Sequence, residues 1–369
     1  MSQRKLHIAV VGLGFGQAFI PIYQAHPLVD RVSICDSNRD RVESVARERG
    51  VTGLFSNLAD VLDDPSVDAV HLLTPVPLHV EQTLAVLNAR KHCACAVPMA
   101  TTLDDLARII EVATHAERNY MMMETSAYTK EYLFAEDFHR KGELGAITFL
   151  RADYFQDLEA SYPEYWRHVP PMHYATHAIG PILCLMDTQA TAVSCLGGGR
   201  IRADIAQDVN NPFPLQTAHF RLRNSNAVAQ VNRSWYQTAH AYVESFSVYG
   251  DKRGFEWAQL EHEDPVVFEM QPVQFEHRWR DVSGKRVPVP FRPDLLPEPL
   301  HPFADGGHGG SHPHLVHEFI SSIAEGRPSR IDPHVSAAWC APGICAHESS
   351  LRNGAWVDVP QYDSDCVIG

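Results

Sequence analysis

The stretch that decides the fold is Leu6-His-Ile-Ala-Val-Val-Gly-Leu-Gly-Phe-Gly-Gln17, near the start of the chain. Its first six residues form an apolar run as long as a buried strand, and a glycine-rich turn leads from it into a helical stretch that extends to about His26. Gly12 permits a tight turn, and Gly14 lets the backbone approach a pyrophosphate at the start of a helix. The stretch therefore predicts the opening strand, turn and helix of a dinucleotide-binding Rossmann domain.

Short apolar segments continue to alternate with helical ones after this stretch. The predicted elements are strands at Arg31–Cys35, Ala69–Leu73 and His92–Val97, and helices at Arg39–Arg49 and from about Leu78 to Ala89. Such alternation is typical of a parallel, doubly wound sheet that carries helices on both faces. The sequence therefore predicts an α/β Rossmann domain over residues 1–125.

An acidic residue closes the second predicted strand. Asp36 follows the first glycine of the turn by 24 residues, and a carboxylate there accepts hydrogen bonds from the ribose diol of NAD and repels a 2′-phosphate. The third position of the dinucleotide fingerprint is Gln17, with Gly16 one residue earlier. We therefore predict an NAD site formed by this turn, including Phe15, and by Asp36. Arg39 is assigned to the same site, and its charge leaves NADP open as the alternative; a merely structural turn is the other.

The pattern changes after about residue 125. Alternating or β-branched segments predict strands at Ile147–Phe155, Gln216–Arg223, Ala227–Trp235 and Tyr242–Tyr249. Asn224-Ser225-Asn226 predicts a turn between two of these strands. Residues 258–312 predict a surface loop, and helices are expected from about Pro313 to Gly326 and at Ala337–Leu351. We therefore predict a C-terminal α+β domain over residues 126–369, with a mostly antiparallel open sheet that binds substrate and mediates oligomerisation.

The composition restricts the class of partner. The chain has 369 residues, with 45 acidic and 31 basic side chains and a formal net charge of −14. A nucleic acid or an anionic membrane would need a basic face, so neither is expected as a partner. The eight cysteines form no CxxC motif. The N-terminal residues predict no signal peptide, and no apolar run approaches the roughly 20 residues that span a bilayer. We therefore expect a cytoplasmic protein with reduced thiols.

Several further motifs resemble one family. Thr74-Pro75 followed by His79, then Ala89-Arg90-Lys91-His92 and Val97-Pro98, resembles the second half of the Rossmann domain in the Gfo/Idh/MocA oxidoreductases. Lys141-Gly142-Glu143-Leu144-Gly145 resembles that family's entry to the substrate domain, and Glu325-Gly326-Arg327-Pro328 also fits. The resemblance covers essentially the whole chain. It implies that Thr74, Pro75, His79, Val97 and Pro98 belong to the NAD site, and that a homo-oligomer binds a small-molecule sugar or glycoside.

Departures from the usual family pattern resemble one branch of it. Most members carry Glu-Lys-Pro where this chain has Ala96-Val97-Pro98, and an Asp four residues before the catalytic His where it has His173. The segments that resemble the branch are Val97-Pro98, Tyr174-x-Thr176-His177-x-x-Gly180-Pro181, Met121–Met123 before Glu124, and His308-Gly309-Gly310. This branch contains the NAD-dependent glycoside hydrolases of the α-N-acetylgalactosaminidase type and relatives such as redox sulfoquinovosidases. The resemblance is partial, because the Glu that usually precedes Val-Pro is Ala96.

The resemblance to this branch implies a redox-neutral hydrolysis. C3 of the sugar is oxidised, a base removes the C2 proton and the C1 aglycone leaves; water then adds and C3 is reduced again. His177 is the candidate for the C3 hydroxyl proton, because an imidazole titrates near neutral pH. Tyr174, expected on the same helix face, is the candidate partner or C2 base, with a packing role as the alternative. His173, one turn before His177, is a further catalytic candidate, or else a helix-surface histidine.

The remaining candidates lie at the domain junction and in later segments. Tyr128 is a candidate for proton transfer near the nicotinamide, and Glu124 for binding sugar or ribose hydroxyls. Further substrate-binding candidates are Trp166, Arg167 and Arg233; the two arginines would clamp an anionic sugar, or else be structural or surface residues. His308 and His312, in a glycine-rich loop, would reach the sugar, or else be plain surface histidines. The histidine spacing in that loop matches no zinc motif, so no metal is predicted.

Three functions remain open from the sequence. The leading prediction is an NAD-dependent glycosidase, with an anionic sugar glycoside such as a sulfoquinovoside as a candidate substrate. An NAD-dependent sugar dehydrogenase or keto-sugar epimerase would use the same fold and His177. A non-catalytic NAD-binding protein would explain the loss of charged side chains at Ala96-Val97.

Overall fold

The computed structural model describes residues 4–159, 162–206, 209, 211–260, 263–273 and 280–363, and it divides the chain into two compact units. Of the described residues, the first unit contains 4–128, 291–340 and 362–363, and the second contains 129–290 and 341–361. This division departs from the predicted domains 1–125 and 126–369. Residues 291–340 return to the first unit, where the helix they contain packs against an early helix of the Rossmann domain.

The first unit is built on a six-stranded parallel sheet. Its strands are β1 (Leu6–Val11), β2 (Val29–Cys35), β3 (Gly53–Phe55), β4 (Ala69–Leu72), β5 (His92–Cys95) and β6 (Tyr120–Met122). Their spatial order is β3-β2-β1-β4-β5-β6. Strands β1 and β4 are buried along their whole length, as a parallel sheet covered on both faces requires. The predicted Rossmann fold is confirmed.

The helices of the Rossmann domain begin and end at residues that favour those positions. They are α1 (Leu13–Gly16), α2 (Ile20–Ala25), α3 (Arg39–Arg49), α4 (Leu58–Asp63), α5 (His79–Asn88) and α6 (Leu103–Ala116). For α3, the Asn38 side chain accepts the N–H of Arg41, and Gly50 follows the helix with a φ of 66°. The helix predicted at Arg39–Arg49 is therefore confirmed.

The second unit is built on a nine-stranded sheet. Its strands are β7 (Ile147–Phe155), β8 (Ala190–Gly198), β9 (Leu215–Leu222), β10 (Val228–Ser234), β11 (Val243–Gly250), β12 (Arg253–Glu256), β13 (Val266–Met270), β14 (Val282–Arg286) and β15 (Val357–Asp358), in the spatial order β14-β13-β12-β11-β7-β10-β9-β8-β15. Apart from the parallel pair β7–β10, its neighbours are antiparallel, which confirms the predicted α+β class. The loop predicted for residues 258–312 is wrong in part, because β13 and β14 lie within it.

Four further helices complete the fold. They are α7 (Lys130–Arg140), α8 (Thr176–Leu185), α9 (Ser311–Glu325) and α10 (Pro333–Leu351). Helix α8 is buried over almost its whole length and packs on β7, β10 and β11, so it forms the core of the second unit. Helix α9 packs against α2 in the first unit. Within the described part of the chain, no helix combines the length and apolarity needed to cross a membrane.

Candidate functional site

The three glycines of the turn after β1 have different structural roles. Gly12 has a φ of +92°, and a Cβ there would lie 2.5 Å from the carbonyl oxygen of Leu73. A Cβ on Gly16 would lie 3.1 Å from side-chain carbons of Leu73 and Val10, so this glycine allows the helix to approach the sheet. A Cβ on Gly14 would meet no heavy atom of the described residues within 4 Å. Gly14 therefore leaves open the approach that a pyrophosphate needs.

The glycine that packs the helix on the sheet is thus Gly16, one residue before the third fingerprint position. At that position, the Gln17 side-chain amide donates to the carbonyl oxygen of Gly14 at 3.2 Å. The single helix predicted up to His26 is wrong, because α1 ends at Gly16 and α2 begins only at Ile20.

Asp36, directly after β2, is bonded to the glycine turn. Its Oδ2 accepts the N–H of Leu13 at 2.8 Å, and its Oδ1 accepts the N–H of Asn38 at 2.9 Å. Burial opposes ionisation, but these N–H donors and the Arg41 guanidinium outweigh it and hold the pKa of Asp36 below its ordinary value. The carboxylate is therefore charged at neutral pH, as recognition of a ribose diol requires.

The arginine that contacts Asp36 is Arg41. Its Nη1 lies 3.1 Å from Oδ2 of Asp36. Arg39, which the sequence assigned to the cofactor site, is exposed and pairs with Glu43 one helical turn later, at 2.9 Å. Arg39 therefore forms a helix-surface ion pair, whereas Arg41 contacts the Asp36 carboxylate that is predicted to bind the ribose.

His79 links two loops of the predicted NAD site. Its Nδ1 lies 2.8 Å from the carbonyl oxygen of Pro98, and its Nε2 lies 2.9 Å from that of Thr74. Carbonyl oxygens only accept hydrogen bonds, so both ring nitrogens must carry protons. Burial acts to lower the pKa of His79, but Cys95 and the two carbonyls outweigh it and raise the pKa to about 9. His79 is therefore a buried cation that positions the loops.

The other predicted cofactor residues lie on the same two loops. The Thr74 hydroxyl donates to Gln82 Oε1 at 2.5 Å, Pro75 is exposed, and Val97 is buried before the cis peptide bond to Pro98. Strands β4 and β5 are parallel neighbours, so these loops follow them at the carboxyl edge of the sheet. That edge is where open α/β sheets bind their ligands.

His308 and His312 pack against the glycine turn of the first unit. Their ring centroids lie 5.7 and 5.5 Å from the Phe15 ring, and the His312 ring stacks on Phe19 at 4.3 Å. Burial, followed by the charge of His308, lowers the pKa of His312 to about 3. His312 is therefore neutral, and the structure places these two predicted substrate residues beside the cofactor turn.

Glu124 and Tyr128 lie in the buried segment after β6. Glu124 Oε1 accepts the N–H and the hydroxyl of Ser126 at 3.0 and 2.8 Å. The Tyr128 ring is nearly parallel to the His314 ring, with centroids 6.5 Å apart. Glu124 therefore accepts hydrogen bonds from Ser126 in its own turn. The roles of Glu124 and Tyr128 in sugar binding or proton transfer stay predictions.

The second unit brings His177 against a carboxylate. His177 lies in the first turn of α8, and Glu244 lies on β11, one of the strands on which α8 packs. His177 Nε2 is 4.0 Å from Glu244 Oε1, and the two side chains are only 6% and 8% exposed. A carboxylate at this distance favours the protonated imidazole. The pair is therefore suited to accepting a proton and returning it.

Three tyrosines surround this pair. The rings of Tyr154 and Tyr174 meet the His177 ring edge-on, with centroids 5.2 and 5.5 Å away, and the Tyr242 hydroxyl donates to the Glu244 carboxylate. Burial raises the pKa of Tyr154 well above its ordinary value, so this phenol stays protonated. The helix face predicted to be shared by Tyr174 and His177 is wrong, because Tyr174 ends a 3₁₀ turn before α8 begins.

Arg233 packs against the aromatic rings of the same cluster. Its guanidinium lies 3.5 Å from the Tyr154 ring centroid and 3.6 Å from that of Trp235. It donates to the carbonyl oxygens of Tyr154 and Tyr174 at 3.1 and 3.2 Å. Burial lowers the pKa of Arg233 to about 10, so the side chain stays charged. Fully buried, Arg233 presents no clamp to an anionic sugar, contrary to the prediction.

His173 lies in other surroundings. It belongs to the 3₁₀ turn Pro171–Tyr174, so the prediction that it sits one helical turn before His177 is wrong. Its ring centroid is 5.1 Å from that of His347. Burial, then the charge of His347, lowers the pKa of His173 to about 3. So weak a base is poorly suited to accepting a substrate proton.

Trp166 and Arg167 lie in the 3₁₀ turn Glu164–His168. The Trp166 ring packs edge-on against Tyr174 at a centroid distance of 4.6 Å, so it extends the aromatic cluster around His177. Arg167 follows Trp166 in the chain and is half-buried. Its positive charge acts to lower the pKa of the Tyr236 phenol. The predicted anion clamp is thus adjacent to the cluster through Trp166.

Sequence reasoning missed Glu244, Tyr242, Tyr154 and Arg41. Glu244 has the same strand parity as Phe246 and Val248, which are buried, so it lies on the covered face of β11. A carboxylate on the buried face of a strand is unusual, and this signal was readable from the alternation.

The cofactor turn defines the class of protein. Residues 6–124 match the family model described as an oxidoreductase family with an NAD-binding Rossmann fold, GFO_IDH_MocA. The first unit therefore contains a stretch that matches the NAD-binding domain of the Gfo/Idh/MocA oxidoreductases. The predicted family resemblance and NAD as the cofactor are confirmed.

Similar proteins cover nearly the whole chain. A glycosyl hydrolase family 109 protein of Saccharopolyspora erythraea is 23% identical over 98% of this chain and 84% of its own length. Another, from Porphyromonas gingivalis, is 22% identical over 97% of this chain and 84% of its own length. The predicted resemblance to NAD-dependent glycoside hydrolases is therefore confirmed as a similarity.

Solved structures share the fold. Levoglucosan dehydrogenase in complex with NADH and levoglucosan has a TM-score of 0.79 and 22% identity, covering 97% of this chain and all (100%) of that one. Aldose-aldose oxidoreductase from Caulobacter crescentus, complexed with glycerol, has a TM-score of 0.75 and 17% identity, covering 96% and 100%. These similarities confirm the predicted combination of a Rossmann domain with an α+β domain.

Proposed function

We propose that the protein is an NAD-dependent glycoside hydrolase that works by transient oxidation of a sugar at C3. The observation that carries this proposal is the buried His177–Glu244 pair among three phenols, in a chain whose first unit binds NAD. Val97 occupies the position of the lysine that most family members use as a proton carrier, so another side chain must supply that group, and we assign it to His177. The similarity to family 109 glycosyl hydrolases over nearly the whole chain favours the same reaction.

The cofactor turn fits NAD. Gly14 leaves room for the pyrophosphate, and the charged Asp36 is available to the ribose hydroxyls. NAD, when bound, supplies reversible oxidation at C3, which makes the C2 proton acidic and leaves no net redox change after the cycle.

Proton transfers fall to the residues of the second unit. His177 accepts the C3 hydroxyl proton and returns it when C3 is reduced again. Tyr174 removes the C2 proton; its ring meets the His177 ring edge-on, and the buried charge of Arg233 acts on it. The aglycone leaves from C1 and takes up a proton, water adds its hydroxyl to C1 and a proton to C2, and reduction of C3 then completes the hydrolysis.

Trp166 and Arg167 favour a sugar with an anionic substituent. The Trp166 ring gives the sugar an apolar surface beside Tyr174, and the half-buried Arg167 guanidinium can bind a sulfonate or carboxylate with two parallel hydrogen bonds. A sulfoquinovoside fits this combination.

A net sugar dehydrogenase or keto-sugar epimerase is the second candidate. The observation that favours it is the fold shared with levoglucosan dehydrogenase across 97% of the chain. His177 would serve that reaction as well, since oxidation of a hydroxyl needs only one proton acceptor.

The test is aglycone release from a panel of aryl glycosides, including anionic sugars, in D₂O with and without NAD⁺. We expect release that depends on NAD⁺, no accumulation of NADH, and deuterium at C2 of the product. Stoichiometric NADH from free sugars, with the aryl glycosides left intact, would establish the dehydrogenase instead. NAD binding without either reaction would identify a non-catalytic protein.

A further inference from the structure

A buried carboxylate, that of Glu244, lies beside the proposed proton acceptor His177. We infer that Glu244 is the positioning residue of His177: it orients the imidazole and stabilises the imidazolium that forms when His177 takes up a proton, while Tyr242 fixes the Glu244 carboxylate. This inference rests on the proposed function, because it explains how the proton acceptor of that reaction is prepared.

The Oε1 atom of Glu244 is the one that lies nearest to both neighbours. Glu244 Oε1 is the atom that lies 4.0 Å from His177 Nε2, and the same Oε1 accepts the Tyr242 hydroxyl. The Glu244 side chain is only 8% exposed, so water screens its charge weakly. Tyr242 is 53% exposed and connects the buried carboxylate with solvent.

The surrounding charges suit a pair that gains and loses one proton. Among the described residues, ionisable groups around His177 and Glu244 include Tyr154 on β7, Tyr174 on the 3₁₀ turn, Arg233 on β10 and Tyr242 before β11. On α7, which also packs on α8, Lys130 and Glu131 pair with each other at 3.7 Å. Arg233 balances the Glu244 charge while His177 is neutral, and Glu244 offsets the new charge when His177 is protonated.

The same sheet offers a matched control. On its opposite face, the Tyr249 hydroxyl donates to Glu256 Oε1 at 2.9 Å, which repeats the Tyr242–Glu244 pairing. Glu256 lies beside Ser247 in the β11–β12 register, whereas Glu244 shares its face with Phe246. Glu256→Gln therefore removes an equivalent carboxylate from the unit without touching His177.

The first readout is the pKa of His177 itself. Histidine-labelled wild type, Glu244→Gln and Glu256→Gln are titrated by NMR as full-length protein, and His177→Gln assigns the resonance. Loss of the Glu244 carboxylate destabilises the imidazolium, so we expect the pKa of His177 to fall by about one unit or more in Glu244→Gln. We expect no such fall in Glu256→Gln. Thermal unfolding of each variant checks that the fold is kept.

The second readout is kinetic. In NAD⁺-dependent aglycone release, Glu244→Gln should lower kcat about 10- to 100-fold with little change in KM, and should move the ascending limb of the pH profile to lower pH. Tyr242→Phe should act in the same direction with a smaller loss.

The two readouts separate the inference from the proposed function. An unchanged His177 pKa in Glu244→Gln, or an equal fall in Glu256→Gln, overturns the inference whatever the reaction is. If the wild type releases no aglycone while the Glu244-dependent pKa fall is observed, the positioning contact stands and the glycosidase assignment fails.

Discussion

His79 in the first unit and His177 in the second are both buried histidines, but their partners give them opposite properties. Both ring nitrogens of His79 face carbonyl oxygens, which accept hydrogen bonds and cannot exchange protons. His177 faces a carboxylate and the edges of phenol rings. His79 is therefore a cation at neutral pH that holds two loops, and His177 is a group suited to changing its charge during a reaction. The partners of each ring nitrogen, more than burial, therefore decide whether a buried histidine holds its proton or exchanges it.

The largest effect is expected at the histidine that changes its charge. His177→Gln removes the proton acceptor while keeping a polar side chain, so we expect NAD⁺-dependent aglycone release to fall by about 10³-fold or more. NAD affinity, measured by calorimetry, should be unchanged, because the cofactor residues belong to the first unit. A loss of less than about tenfold would contradict the role of His177.

A smaller effect, on stability, is expected at His79. Its pKa is raised in the folded protein from 6.5 to about 9. Such a group contributes stability that is fully present below pH 6.5 and is lost as the pH rises through about 9. The contribution is on the order of 3 kcal/mol.

Chemical denaturation of wild type and His79→Asn at several pH values measures this contribution. The free energy of unfolding of His79→Asn should be lower than that of wild type at pH 6. The difference between the two free energies should shrink by about 3 kcal/mol near pH 10. A difference that stays constant with pH would show that His79 is not a buried cation.

The smallest effect is expected at His173. Its pKa of about 3 keeps it neutral, so His173→Asn should change aglycone release by less than about threefold and leave the pH profile between 5 and 8 in place. This outcome would sharpen the contrast with His177. A hundredfold loss would restore the catalytic role that the sequence suggested for His173.

The sequence predicted the first unit closely because its signals are local. The strand Leu6–Val11 and the helix Arg39–Arg49 were bounded by their own apolar runs, glycines and caps. The glycine turn and Asp36 were identified as a cofactor site for the same reason.

The second unit was predicted less well because its site depends on long-range pairing. Glu244 reaches His177 only because α8 packs on β11, and no spacing along the chain reports that contact. Arg41 contacts Asp36 while Arg39, two residues earlier, pairs with Glu43, because side-chain direction, more than distance along the chain, selects the partner. The segment 291–340 likewise returns to the first unit after 162 residues of the second.

The empty space beside Gly14 has an evolutionary consequence. Gly12 and Gly16 are held by the fold itself, since a larger side chain at either would meet neighbouring backbone or side chains. A Cβ on Gly14 would meet no heavy atom of the described residues within 4 Å, so the packing of the chain alone does not require glycine there. A descendant that kept this architecture but abandoned its cofactor would be free to lose Gly14 long before its neighbours. A glycine at this position therefore indicates nucleotide use in chains that share this fold.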